Sequence, residues 1–208
     1  MSPDHIHYRN RGPFHSYEKA PREVGSYSHV VDIFLKAVKT LHGSSKTILD
    51  VGAGTGLVSE YMNNQGFNVT ALDPSITAMR STQARKIYST LDCADISDKS
   101  IDGIHIKDCL EHIQDKEKFF SHCGRILSSN GIIMCTFTPV SHATALTDKK
   151  MGNPRYFATT YIGIAKYLEQ MDIQVQGAGR WKPEDSESDW YQIHTNRVVI
   201  IGVKRKTK

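Results

Sequence analysis

No run in this sequence approaches the roughly 18 consecutive apolar residues that a bilayer-spanning helix needs, so a membrane-embedded chain is not expected. The opening residues, M-S-P-D-H-I-H-Y-R-N, lack the apolar core of a secretory leader, which favours a cytoplasmic address. Cysteine is sparse: Cys93, Cys109, Cys123 and Cys135 show no C-x-x-C spacing. That excludes a zinc ribbon or a disulfide framework, and the thiols read as reduced and mostly buried. Internal repeats are missing, which excludes solenoids and propellers. Neither charge sign dominates, since 26 Lys and Arg against 22 Asp and Glu leave a net charge of +4. The clearest basic cluster, Lys204-Arg205-Lys206 with Lys208, reads as a solvated terminus rather than a nucleic-acid patch. What is present, 39% hydrophobic residues in a chain of 208, is enough for one globular domain with a proper core.

The stretch I-L-D-V-G-A-G-T-G (48–56) organises that domain. Its first four residues read as a short buried strand, apolar and β-branched at Ile48 and Val51. Residues 57–65 read as a helix, with Leu57, Val58, Tyr61 and Met62 on one face. The three glycines therefore occupy a strand-to-helix turn, where positive φ and close approach of a ligand to bare backbone are possible. A dinucleotide site would show G-x-G-x-x-G with a pyrophosphate at the helix start. Here the spacing is G-A-G-T-G, and Asp50 stands two residues ahead of the first glycine. A carboxylate so close repels pyrophosphate and suits a cationic or amino-bearing ligand. A second strand, 68–72, then ends in Asp73, where a sheet of this kind places the acceptor for ribose hydroxyls.

Four pieces in order, L-D-V-G-A-G-T-G (49–56), A-L-D-P-S (71–75), A-D-I (94–96) and D-C-L-E-H-I (108–113), make the chain resemble the class I S-adenosylmethionine (SAM) methyltransferases. The resemblance is good over roughly residues 45–140 and loose elsewhere. It implies an α/β fold: a Rossmann-like, doubly wound, seven-stranded sheet, mostly parallel with an antiparallel last strand and helices on both faces. It implies SAM as cofactor, held by Asp50, Gly52, Ala53, Gly54, Thr55, Gly56, Asp73, Pro74, Asp95, Ile96 and Lys107. Asp95 would accept from the adenine amino group and Ile96 would offer its backbone N–H to the ring; a turn or cap role for Asp95 is the plainer alternative. Methyl transfer from a sulfonium is an in-line displacement, helped by a base that takes the nucleophile's proton. His112 and His142 are the two candidates, each also readable as a residue that orders its loop or contacts SAM. No Asn, Asp or Ser followed by Pro-Pro-Tyr or Pro-Pro-Phe occurs, which argues against N-methylation of adenine or cytosine.

The expected reaction is thus transfer to an oxygen or nitrogen of a small molecule, with no membrane or nucleic-acid partner. An RNA or protein methyltransferase, or a non-catalytic partner subunit of the same fold, are the alternatives. If Asp108, Glu111 and His112 shared one helix face, they could hold a metal. Comparable runs occur in ubiquinone-pathway O-methyltransferases and in small-RNA ribose methyltransferases, but no metal is assigned here. His105, mid-strand, reads as a satisfied core histidine.

The remaining elements follow from periodicity. A helix is expected over 27–41, with Val30, Phe34, Val38 and Leu41 in one stripe and Gly43 beyond its end. A further helix should start at Pro74 and carry Ile76, Met79 and Ala84. Strands are expected near 87–91 and at 101–107, 132–137, 172–176 and 197–203, with helices over 119–127 and 159–171. Residues 140–156 read as a long loop, a feature that is usually functional. Residues 1–25, rich in His, Tyr, Arg, Pro and Gly, read as an N-terminal arm or lid ahead of a single domain, 26–208, or as a plain tail.

Overall fold

A computed structural model describes residues 24–43, 46–139, 157, 159–181 and 197–205. Within them seven strands form one sheet in the order β3-β2-β1-β4-β5-β7-β6. The strands are β1 (Thr47–Val51), β2 (Asn68–Leu72), β3 (Arg85–Ile87), β4 (Ile101–Lys107), β5 (Leu127–Phe137), β6 (Ile173–Trp181) and β7 (Arg197–Lys204). β1 to β5 pair in parallel, whereas β7 lies antiparallel between β5 and β6. The helices are α1 (Ser28–His42), α2 (Leu57–Asn64), α3 (Lys116–Ile126) and α4 (Tyr161–Gln170).

Side chains on a strand alternate between faces, and two cores follow from that alternation. On one face Ile48, Val69, Ile132 and Met134 meet Val30, Val31, Phe34 and Val38 of α1 and Met62 of α2. On the other, Leu49, Val51, Ile104, Ile106, Ile133 and Cys135 meet Phe120 and Cys123 of α3 and Leu168 of α4. The sheet is doubly wound as expected. Gly103 on β4 lets α1 approach closely, because a Cβ there would lie 2.8 Å from Phe34 Cζ. Parallel strands run out at one edge, and the winding reverses between β1 and β4. At such a reversal, in the crevice beyond the carboxyl ends of the strands, here β1 and β4, open α/β sheets bind their ligands.

Several elements differ from expectation. The helix from Pro74 does not form; residues 73–84 make successive turns. Their own side chains compete for the backbone: Asp73 accepts from Ser75 N–H, Ser75 Oγ accepts from Thr77 N–H, and Thr82 Oγ1 accepts from Ala84 N–H. The segment is instead stitched to the glycine loop, Met79 N–H to Gly54 O at 2.6 Å and Ser81 N–H to Thr55 O at 2.9 Å. β3 lies two residues earlier than expected, pairing with 70–72 of β2. β5 starts at Leu127, directly after α3, so Asn130-Gly131 is a kink within the strand rather than a helix stop; Asn130 takes φ +62°. β6 continues to Trp181 because its glycine-rich end, 177–181, pairs with β7 across a shift after Val175. The expected loop at 140–156 and residues 1–23 of the expected arm at 1–25 lie outside the described residues.

Candidate active site

Gly52, Gly54 and Gly56 all take positive φ, at 70°, 55° and 85°. The turn is therefore closed to other L-residues without strain. Gly52 is also sterically required: a Cβ there would sit 2.7 Å from Cys109 Cβ. The loop is anchored from β2, since Gly52 and Ala53 N–H both donate to Leu72 O. Gly52 to Thr55 stay half-buried, leaving the backbone accessible from the crevice.

Asp73, at the end of β2, faces this loop. Its Oδ2 accepts from Gly54 N–H at 2.9 Å and its Oδ1 from Ser75 N–H at 2.9 Å. Burial raises the carboxyl's pKa from 3.8 to about 6, the two backbone donors pulling it down and Asp50 adding repulsion. A carboxylate offers about four lone-pair positions, so each oxygen keeps one for a ligand hydroxyl. Pro74 is half-buried beside it.

At β4's carboxyl end, Lys107 Nζ pairs with Asp108 Oδ2 at 2.8 Å and lies 5.2 Å over the Tyr27 ring. Arg197 Nε of β7 holds the other oxygen at 2.8 Å. Burial alone would raise the Asp108 carboxyl, but Lys107 and then Arg197 outweigh it and hold it below the ordinary range. Asp108 has φ +50°, and only Leu110–His112 form a 3₁₀ turn. A helix face joining Asp108, Glu111 and His112 is therefore not built, and Asp108's carboxylate pairs with two cations. Among the described residues no three His, Cys, Asp or Glu side chains converge as a metal site. His112 sits half-buried on the turn, its N–H bonded to Cys109 O. His142 lies outside the described residues. Cys109 is under the loop, where burial pushes its thiol well above the usual range, and Sγ–H donates to Val51 O at 3.6 Å.

Two expected cofactor contacts are arranged differently. Ile96 turns its N–H onto Ala94 O at 3.1 Å, because residues 94–96 make a tight turn, while Asp95 stays exposed. Asp50 points away from the crevice into the α1 face, with its carboxyl held by Ser59 Oγ and by His105 Nδ1 at 2.7 Å. Alternation carries the signal for this: Asp50 is in phase with Ile48, which packs under α1. His105 is the fully buried, satisfied histidine expected. Arg197 and Tyr27 were not singled out from sequence. Their roles depend on long-range pairing, of β7 beside β5 and of the turn before α1 over β4.

A family model described as a methyltransferase domain matches residues 22–175. A ubiquinone biosynthesis O-methyltransferase of Rickettsia akari is 33% identical over 115 residues, 50% of this chain and 45% of that protein. One from Rhodopseudomonas palustris is 28% identical over 162 residues, 74% of this chain and 58% of that protein. The chain thus spans about half the length of these relatives. Among solved structures, phosphoethanolamine N-methyltransferase 2 of Haemonchus contortus, in complex with phosphomonomethylethanolamine and S-adenosylhomocysteine, superposes with a TM-score of 0.67. Its identity is 16%, over 84% of this chain and 53% of that one.

Proposed function

We propose that this chain, which belongs to the methyltransferase-domain family, transfers the methyl group of SAM to an oxygen or nitrogen of a small molecule. The observation that carries the reading is the joint between the glycine loop and Asp73, Gly54 N–H to Asp73 Oδ2, at the sheet's reversal point. Bare backbone on one side and a buried double acceptor on the other suit a nucleoside whose ribose hydroxyls need acceptors. When bound, SAM would supply an electrophilic methyl group carried on its sulfonium sulfur, which leaves as a neutral thioether. The residues do the rest. Asp73 accepts from the ribose, Gly52 to Gly56 line the loop with Ala53 and Thr55, and Pro74 flanks it. Lys107 fixes Asp108 at the rim. Asp95 is exposed for the adenine amino group, whereas Ile96 contributes packing against the α3 core rather than its N–H.

The names of the curated relatives support an oxygen acceptor, which would give up its proton during transfer. His112, on the turn beyond β4, is the base we favour, with His142 as the alternative. Methyl uptake from labelled SAM onto small phenols, RNA and a protein extract tests the reading. Incorporation into small molecules is expected; incorporation into macromolecules alone would reverse it.

A further inference from the structure

Beneath the glycine loop runs a line of buried polar side chains that the proposed transfer does not use. Asp50, His105 and Thr136 lie on one face of β1, β4 and β5, and the turn before α1 lays Tyr27 across them. Tyr27 Oη bonds His105 Nε2 at 2.9 Å and Thr136 Oγ1 at 2.8 Å. His105 Nδ1 bonds Asp50 Oδ1 at 2.7 Å, and Ser59 Oγ–H donates to Asp50 Oδ2. None of the five exceeds 3% exposure. Burial holds the Tyr27 phenol well above its ordinary pKa, so it keeps its proton. The protonated phenol and the imidazole thus link Thr136 to Asp50, whose other oxygen accepts from Ser59 Oγ–H.

The last two members of this line straddle the cofactor loop. Asp50 stands on the strand that enters it, two residues before Gly52, and Ser59 on the helix that leaves it, three residues after Gly56. A single carboxylate therefore ties both arms together, and His105 and Tyr27 fix that carboxylate from below. An apolar filling of the same space would serve stability as well, since buried polar groups pay desolvation that only full satisfaction offsets. What the polar line adds is a fixed geometry for the loop.

We infer that Tyr27 and His105 are positioning residues for the SAM loop, acting through Asp50 and Ser59. The inference rests on the SAM reading above. It makes the turn before α1 part of the cofactor site without contacting the cofactor.

The test titrates SAM calorimetrically into wild type, Tyr27→Phe, Thr136→Val, Ser59→Ala and the Tyr27→Phe/Ser59→Ala double variant. Val38→Ala, in the same α1 core but off the line, serves as control. Tyr27→Phe and Ser59→Ala should each weaken SAM by about five- to fiftyfold, the cost of orphaning buried partners. The double variant should weaken it by clearly less than the product, although Tyr27 and Ser59 do not bond each other. Val38→Ala should lower the melting temperature while keeping the Kd within about twofold. In kinetics, KM for SAM should rise while kcat at saturation changes little. Thr136→Val is isosteric and remote from the loop, so it decides the matter should Tyr27→Phe not fold. A wild type that binds no SAM overturns both readings. SAM binding by wild type with unchanged affinity in Tyr27→Phe and Thr136→Val overturns this inference alone. So do multiplicative effects in the double variant, or an equal loss in Val38→Ala.

Discussion

At the residue scale, the site turns on Asp73. Asp73→Ala should weaken SAM by about 1.5–3 kcal/mol, the worth of hydrogen bonds to a charged group, while leaving the fold intact. Unchanged affinity in a folded variant would remove the ribose assignment. The raised pKa of about 6 adds a pH signature. A protonated Asp73 has lost acceptor capacity, so SAM affinity should fall by about tenfold for each unit below that value. Stability runs the other way. The unfolded carboxyl ionises at 3.8 and the folded one at about 6, so the native state holds the extra proton between them. Asp73's contribution to stability is therefore full below the unfolded value and lost as pH rises through about 6. Asp73→Asn should flatten both profiles, read by calorimetry and by thermal melts across pH 4 to 8. Gly52→Ala meets two obstacles at once, φ +70° and Cys109 Cβ. It should cost about 1–3 kcal/mol in backbone strain alone, visible as a lowered melting temperature and lost SAM binding. A variant that melts and binds like wild type would show that the loop has another conformation available.

Elements sort by how local their causes are. β1, β2 and β4 were readable because short apolar runs end at glycine or acid, and the α1 stripe of Val30, Phe34 and Val38 was readable from spacing. The helix at Pro74 was misread because Asp73, Ser75, Thr77 and Thr82 bond their own backbone, a competition that periodicity does not register. The arrangement at Asp108–His112 was not legible because Arg197, which pairs with Asp108, lies 89 residues away along the chain. Two predictions belong to these elements. Residues 1–25 read from the sequence as an arm or lid, or as a tail, and 1–23 of them lie outside the described residues. Removing them should leave a folded, SAM-binding domain with little turnover; normal turnover would make them a tail. His112→Ala should cut kcat by about 10²–10⁴ as a lost general base does, and should remove the acid limb of the pH–rate profile with SAM affinity unchanged. If His142→Ala shows that loss and His112→Ala does not, the two roles exchange.

On the scale of the whole molecule, strand order does what no single motif does. Placing β1 beside β4 brings the glycine loop and the Lys107–His112 turn to one crevice, although about fifty residues separate them in sequence. The glycine spacing and Asp73 were legible in the chain because local backbone needs dictate them. The inward turn of Asp50 was half legible, in its phase with Ile48. The clamp of Lys107 and Arg197 on Asp108 was not, because β7 reaches it only through sheet pairing. The most direct measurement is a calorimetric titration of SAM into the wild-type chain and into Asp73→Ala at pH 7.5. One SAM per chain is expected, with affinity within the range of about 1 μM to 1 mM common for enzyme substrates, and a loss of about ten- to hundredfold in the variant. Absence of binding to the wild-type chain, or equal binding to both, would contradict that expectation.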